Sequence, residues 1–208
     1  AGLYQSIRKF AAERGYGIKV EESPYGFPYD KNKVPHMAFQ EFLDTLNLPF
    51  KPRDYQYDAI VHGIENKRAI LLSPTGSGKS FIIYLLARWY LANHKKKLLL
   101  IVPTTSLVEQ MYKDFSDYGW DVETNVHRIY SGKDKETECP LIISTWQSIY
   151  KLGPPWFQQF GCVVGDEVHG FKSKSLSSIM NKSIKAEYRF GTTGTLDGTQ
   201  VHKLVLEG

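Results

Sequence analysis

The chain has 208 residues, of which 42% are hydrophobic and 23% charged, a balance typical of a globular protein that buries a core rather than of a disordered segment. A net charge of +4 is compatible with a polyanionic partner but does not require one. The two cysteines match no zinc spacing and no disulfide framework, which favours a reducing compartment, and no uninterrupted apolar stretch reaches the roughly 18 residues of a membrane span.

Residues 1–48 predict a small α/β segment that precedes the main domain. Their pattern predicts a helix, a short strand, an irregular proline-containing loop and a second helix, over 3–14, 18–20, 23–35 and 39–46. Gly15 ends the first helix, and Pro49 lies beyond the end of the second. The aromatic side chains of this segment could stack on bases, but core packing is the favoured interpretation.

Residues 49–208 alternate short apolar runs with amphipathic segments, the pattern of a parallel α/β sheet with right-handed crossovers. Strands are predicted over 69–72, 98–102, 126–130, 141–145, 162–165 and 188–190. Helices are predicted over 53–66, 81–91, 104–111 and 176–184, with a short one starting at Trp146. In such a sheet, ligands bind at the carboxyl ends of the strands, where the polar motifs of this chain fall.

The stretch Ser73–Ser80 (SPTGSGKS) stands between a predicted strand and a predicted helix, as a phosphate-binding loop requires. Its glycines allow backbone N–H groups to turn inward around phosphate oxygens, at the positive end of the following helix. Lys79 would then reach the β- and γ-phosphates, and the Ser80 hydroxyl would bind Mg²⁺. The predicted nucleotide-binding positions of the loop are Pro74, Thr75, Gly76, Ser77, Gly78, Lys79 and Ser80. A chance glycine turn, starting with Ser73 where glycine is usual, is the disfavoured alternative.

Asp166 and Glu167 follow the apolar run 162–165. A carboxylate at the end of such a strand can hold the Mg²⁺ that bridges two phosphates, which is the role predicted for Asp166. Glu167 would then orient or deprotonate the attacking water. An acidic pair in a solvated loop is the alternative, which the upstream phosphate loop makes much less favourable.

Six short motifs follow one another along the chain: RDYQ, SPTGSGKS, PTTSLVEQ, STWQS, DEVH and GTTGT, at 53–56, 73–80, 103–110, 144–148, 166–169 and 191–195. Their order resembles that of the superfamily 2 helicases. The chain most closely resembles the phage UvsW-type ATP-dependent DNA helicases, which are also related to the XPB-like group. Val168 departs from the cysteine usual at the third position of the DEVH motif, a position that we expect to be packed. The resemblance implies a RecA-like P-loop NTPase fold.

The resemblance also implies roles for individual residues. Gln56, with Arg53 nearby, would read the adenine edge and so favour ATP over GTP. His169 would join the catalytic residues. Together with Thr193 and Thr195, it would link the nucleotide state to the nucleic-acid groove. The groove would be lined by Pro103, Thr104, Thr105, Thr145 and Gln147, with a further phosphate contact at Ser131 and Gly132. Helix capping is the alternative role for Thr104, and a plain turn is the alternative for 131–132.

The resemblance implies that the chain is the first motor domain of a helicase that uses ATP and Mg²⁺. It also implies branched or forked DNA as the substrate, in phage recombination, replication and repair, and the host cytoplasm as the location. We expect residues 1–208 to be a fragment that lacks the second RecA-like domain and its arginine fingers, and therefore to bind ATP weakly and hydrolyse it poorly. A DNA translocase without strand separation, an RNA helicase-type ATPase and a non-catalytic nucleic-acid-binding module are the alternatives. The intact Lys79, Ser80, Asp166 and Glu167 argue against the last.

Overall fold

The computed structural model describes residues 10–16, 36–72, 76–130, 133–167 and 173–193. Helices within these ranges are α1 His36–Asp44, α2 Asp54–Asn66, α3 Lys79–Asn93, α4 Thr105–Asp117, α5 Val122–Asn125, α6 Trp146–Ile149, α7 Pro154–Phe157 and α8 Ser173–Lys182. Strands are β1 Arg68–Leu72, β2 Lys97–Val102, β3 Val126–Ile129, β4 Leu141–Thr145, β5 Phe160–Gly165 and β6 Tyr188–Thr193. Residues 10–13 are also helical, whereas the predicted strand 18–20 and loop 23–35 lie outside the described residues.

The six described strands form one parallel sheet in the order β1-β6-β5-β2-β4-β3. The last residues of neighbouring strands are in register, as in the pairs Leu72 with Thr193 and Val102 with Thr145. The segments that follow β1, β6, β5, β2 and β4 therefore emerge side by side at one edge of the sheet. This architecture confirms the predicted α/β fold, a parallel sheet flanked by helices.

Both faces of the sheet are covered, which explains why its strands read as continuous apolar runs rather than as alternating patterns. Along β2, Leu98 and Leu100 pack into the hydrophobic cluster that contains α3, while Leu99 and Ile101 pack into a second cluster that contains α8. Successive side chains of a strand point to opposite faces, so one apolar run supplies both layers of core.

Helix α3 is buried over nearly its whole circumference, with consecutive buried residues from Phe81 to Ala87. It packs against α2, α4 and the sheet at once, so no wide polar face is needed. Phe39 and Leu43 of α1 belong to the same hydrophobic cluster as α3, so the second helix of the N-terminal segment packs into the core of the main domain. Within the described ranges, no helix is long and apolar enough to cross a bilayer.

The structure differs from the predicted elements at the short helices and at β6. Helices α5 and α7 were not predicted, because four residues are too few to establish a helical period. Strand β6 continues to Thr193, since Gly191, Thr192 and Thr193 extend the ladder with β1. The first three residues of the GTTGT motif are therefore strand residues rather than a loop after the strand.

Candidate nucleotide-binding site

The described part of the phosphate loop adopts a conformation suited to glycine. Gly76 and Gly78 have φ angles of 81° and 74°, in the left-handed region that other residues rarely adopt. Gly78 is the N-cap of α3, and its carbonyl accepts hydrogen bonds from the N–H groups of Phe81 and Ile82 at 3.0 and 3.3 Å. The N-terminus of α3 thus opens at the carboxyl edge of the sheet, where its dipole favours an anion. Residues 73–75 lie outside the described part of the loop.

Lys79, the first residue of α3, meets the two carboxylates predicted to act with it. Its Nζ lies 3.5 Å from Oδ1 of Asp166 and forms an ion pair with Glu167. The acidic pair follows β5, which is separated from β1 by β6 alone, so the sheet order brings these loops together. The structure therefore places three of the predicted catalytic residues in one cluster, while His169 lies outside the described residues.

Asp166 is 1% exposed and is held by three hydrogen bonds, one from its backbone and two to its carboxylate. Its backbone N–H donates to the carbonyl of Ile101 at 2.8 Å. Oδ1 accepts from the Thr192 hydroxyl at 2.6 Å and from the backbone N–H of Glu167 at 3.0 Å. These contacts hold the carboxylate in one orientation, so its oxygens are fixed candidates for a cation ligand.

Thr192 is a site residue that the sequence analysis missed, since Thr193 and Thr195 were chosen as the coupling residues. Its side chain is fully buried and donates directly to Asp166. Alternation along a strand could have separated Thr192 from Thr193, had β6 been predicted to continue through the motif. Thr193 is buried at the end of β6, and Thr195 lies outside the described residues.

Glu167 has a φ of 51°, one of three non-glycine residues with positive φ in the described part of the chain. This conformation is sparsely populated for residues with a side chain, and such outliers cluster at functional sites. The backbone turn carries the Glu167 side chain away from the end of β5 and onto Lys79.

Gln56 connects the start of α2 to the phosphate loop. Its Oε1 accepts from the backbone N–H of Arg53 at 2.9 Å, and its Nε2 donates to the carbonyl of Ser77 at 2.9 Å. The hydroxyl of Tyr55, a residue not predicted to be part of the site, donates to the same carbonyl at 2.7 Å. Each end of the Gln56 amide therefore already has a protein partner, although the NH₂ group can donate twice and the carbonyl can accept twice.

A cavity of about 380 Å³ lies beside the loop. It is lined by Phe50, Lys51, Arg53, Gln56, Gly76, Ser77, Gly78, Phe81 and Tyr118. Its size falls within the range of small-molecule sites, and its aromatic wall with a few polar groups matches their usual composition. The cavity is large enough to accept a nucleoside, and we call it the nucleoside cavity.

The aromatic wall continues to the metal-binding position predicted at Ser80. The Tyr118 ring contacts Phe81 edge-on, with centroids 4.9 Å apart, and its hydroxyl lies 2.8 Å from Ser80 Oγ. Burial raises the pKa of the Tyr118 hydroxyl, an effect only partly offset by the hydrogen bond to Ser80, so Tyr118 is neutral at physiological pH.

Ser80 and Asp166 supply the oxygen donors that Mg²⁺ prefers. No group of three or more His, Cys, Asp or Glu side chains suited to a metal occurs among the described residues. Mg²⁺ does not need such a cage, since it usually takes one or two protein oxygens and completes its octahedron with phosphates and water. The donor set therefore fits Mg²⁺ bound together with a nucleotide.

The predicted nucleic-acid-binding residues differ in solvent exposure and in hydrogen bonding. The Thr104 hydroxyl accepts from the backbone N–H of Leu107 at 3.3 Å, so it caps α4, as the alternative interpretation stated. The Thr145 hydroxyl is buried against Ser148 at 2.8 Å. The exposed residues Thr105 and Gln147 lie at the carboxyl ends of β2 and β4, and Gln147 Nε2 donates to the carbonyl of Pro103 at 3.3 Å. Residues 131–132 lie outside the described ranges.

Comparison with known proteins identifies the family of the chain. Residues 49–198 match the family described as type III restriction enzyme, res subunit. The chain is 37% identical over 204 residues to the ATP-dependent DNA helicase uvsW of Enterobacteria phage T4, covering 94% of this chain and 40% of that protein. It is 29% identical over 192 residues to the DNA 3'-5' translocase XPB2 of Sulfurisphaera tokodaii, covering 92% of this chain and 38% of the translocase.

The solved crystal structure of the UvsW helicase from bacteriophage T4 superposes with a TM-score of 0.87 at 34% identity, over 99% of this chain and 76% of that one. The predicted resemblance to the UvsW-type superfamily 2 helicases is thereby confirmed, together with the RecA-like fold. The chain spans about 40% of the length of the two relatives named above. Since the family match covers most of its length, the chain belongs to the family of the type III restriction enzyme res subunit.

Proposed function

We propose that this chain is the ATP-binding motor domain of a DNA helicase. The observation that carries the proposal is the convergence of Lys79, Asp166 and Glu167 at the N-terminus of α3, beside a cavity that can accept a nucleoside. The similarity to a phage ATP-dependent DNA helicase supports ATP as the nucleotide and DNA as the polymer.

The residues divide the work on the nucleotide as follows. The backbone of Gly76, Ser77 and Gly78 and the Lys79 ammonium would bind the phosphates. Ser80 and Asp166 would hold Mg²⁺, which when bound neutralises charge on the β- and γ-phosphate oxygens. Lys79, which pairs with the two carboxylates in this structure, would exchange part of this pairing for phosphate oxygens.

Glu167 is the proposed base for hydrolysis. Its left-handed backbone carries the carboxylate onto Lys79, at the edge where the γ-phosphate would lie. From there it can accept a proton from a water attacking the phosphorus, and a positioned base of this kind typically contributes about 10²- to 10⁴-fold to the rate. Gln56 and Arg53 would select adenine, and His169, Thr193 and Thr195 would transmit the nucleotide state to the nucleic acid.

The nucleic-acid strand would run along the carboxyl edge of β2 and β4. Thr105 and Gln147 are exposed there and offer hydroxyl and amide groups for phosphate contacts, with Pro103, Thr104, Thr145 and residues 131–132 as further predicted contacts. We propose branched or forked DNA as the substrate, a second RecA-like domain as the partner that completes the cleft, and host cytoplasm as the location. A family match that begins at residue 49 supports dividing the chain into residues 1–48 and 49–208.

The test measures ATP binding and hydrolysis by the full-length protein, with and without forked DNA, for Lys79→Ala and Glu167→Gln. Lys79→Ala should lose affinity for ATP, whereas Glu167→Gln should bind ATP normally and lose about 10²-fold or more in turnover. Glu136→Gln, on the exposed loop after β3, is the matched control and should match the wild type. DNA-stimulated turnover that survives in both site variants would contradict the proposal.

Two comparisons separate the proposed function from its alternatives. ATPase stimulation by DNA and by RNA at one fixed salt concentration distinguishes a DNA motor from an RNA helicase-type ATPase, because the phosphate contribution to affinity depends on salt. Strand separation on forked DNA, set against displacement of a triplex-forming strand, distinguishes a helicase from a translocase that leaves the duplex paired. The similarity to a DNA translocase keeps this second alternative under test.

A further inference from the structure

Tyr118 stands between the nucleoside cavity and the metal-binding position, and neither its type nor its place in the sequence marks it as a site residue. It is the C-cap residue of α4, 38 positions after Ser80. Its ring is enclosed by three other aromatic rings, Phe50, Phe81 and Tyr84, with centroids 5.8, 4.9 and 5.2 Å away. These contacts fix the ring, so the hydroxyl has a defined position.

That position is 2.8 Å from Oγ of Ser80, a good hydrogen-bond distance between two hydroxyl groups. A serine hydroxyl has one proton and two lone pairs. If the Ser80 proton is donated to Tyr118, both lone pairs of Oγ remain for a cation. If the direction is reversed, Tyr118 occupies one of these lone pairs.

We propose that Tyr118 is a positioning residue for the metal-bound nucleotide: its hydroxyl accepts the Ser80 proton and orients Oγ toward Mg²⁺, while its ring forms part of the wall of the nucleoside cavity. The proposal rests on the proposed function, since it assumes that Ser80 binds the cation. It assigns the hydroxyl and the ring of Tyr118 to two different parts of the metal-bound nucleotide. The hydroxyl acts on the metal, and the ring acts on the nucleoside.

The division of roles has a direct test in nucleotide binding. The probe is a fluorescent ATP analogue, titrated into this chain in excess Mg²⁺ and again in EDTA. Tyr118→Phe removes only the hydroxyl, so it should weaken binding in Mg²⁺ by about 2- to 13-fold, the value of one ordinary hydrogen bond, and leave binding in EDTA unchanged. Tyr118→Ala also removes the ring and should weaken binding in both conditions.

Tyr112→Phe is the matched control, because its hydroxyl donates to Glu123 at 2.6 Å and Tyr112 does not line the cavity. It should leave both affinities unchanged. In a Ser80→Ala background, Tyr118→Phe should have no further effect on binding in Mg²⁺. Loss of affinity with Tyr118→Phe that is equal in Mg²⁺ and EDTA, or no loss in either, would overturn the proposal.

A second measurement tests the hydroxyl pair without any nucleotide. A double-mutant cycle of Tyr118→Phe and Ser80→Ala, followed by denaturant unfolding, should show coupling of about 2- to 13-fold in the unfolding equilibrium constant. Additive effects would overturn the proposed hydrogen bond. If the wild type and Lys79→Ala bind the probe equally, the proposed function itself fails. If the wild type binds the probe in a Mg²⁺-dependent way and Tyr118→Phe binds it equally well, only the role of Tyr118 fails.

Discussion

Replacing Gly78 by alanine should damage the site through Gln56 rather than through the loop alone. A Cβ atom built on Gly78 lies 2.5 Å from Nε2 of Gln56, closer than real Cβ contacts come. Gly76 provides the matched control, because its φ of 81° is similar to the 74° of Gly78 and a Cβ there meets no atom of the described residues within 4 Å. The two substitutions therefore share the backbone strain and differ in the steric clash.

The magnitudes follow from these contacts. A left-handed backbone conformation costs a residue with a side chain about 1–2 kcal/mol. Alanine also reduces the entropy of the unfolded chain, which offsets about 0.4–1 kcal/mol of that cost. Both variants carry the same net backbone cost. Gly78→Ala also displaces the Gln56 amide, which loses its bonds to Arg53 and Ser77, each of about 0.5–1.5 kcal/mol. We therefore expect Gly78→Ala to be less stable than Gly76→Ala by about 1–3 kcal/mol.

Denaturant unfolding of both variants, alone and combined with Gln56→Ala, measures this difference. In the Gln56→Ala background the clash is gone, so the two glycine variants should have equal free energies of unfolding. Equal stability of the variants in the wild-type background would refute the reasoning, as would a difference that persists without Gln56. An unchanged denaturant m-value shows that the comparison concerns the native state.

Two further outcomes are expected. Thr192→Val removes the hydroxyl donor to Asp166 and should lower the free energy of unfolding by about 1.5–3 kcal/mol. Thr192→Ser keeps a hydroxyl and should retain most of the wild-type stability. Equal stability of the two variants in thermal or denaturant unfolding would contradict the role of the hydroxyl. Burial lowers the pKa of His94, an effect that nearby Glu187 partly opposes, so the unfolded state binds the proton more readily. Stability should therefore fall as the pH drops from 7.5 to 5.5, and His94→Gln should flatten this dependence; an equally steep pH profile for the variant would assign the slope to other groups.

The strands and the phosphate loop could be predicted because their signals are local. Residues 98–102 and 141–145 are continuous apolar runs, the pattern of strands covered on both faces, and both form strands in the sheet. The spacing of Gly76, Gly78 and Lys79 between a strand and a helix identified the loop in the same way. Boundaries were less well defined, as at β6, where the partner strand decides how far the ladder continues.

The contacts that assemble the site required the tertiary structure. Thr192 reaches Asp166 only because β6 lies beside β5. Similarly, Tyr118 reaches Ser80 only because the end of α4 packs against the start of α3.

By itself, the sequence determined the α/β class, the order of the motifs and the identity of the groups that can bind phosphate and a cation, since periodicity and residue type are properties of short segments. The tertiary structure decided the sheet order, the hydrogen bond from Thr192 to Asp166 and the packing of Gln56 against Gly78. The physical reason is that these contacts join residues more than 20 positions apart, and their geometry depends on how whole strands and helices pack rather than on the pattern of any one segment.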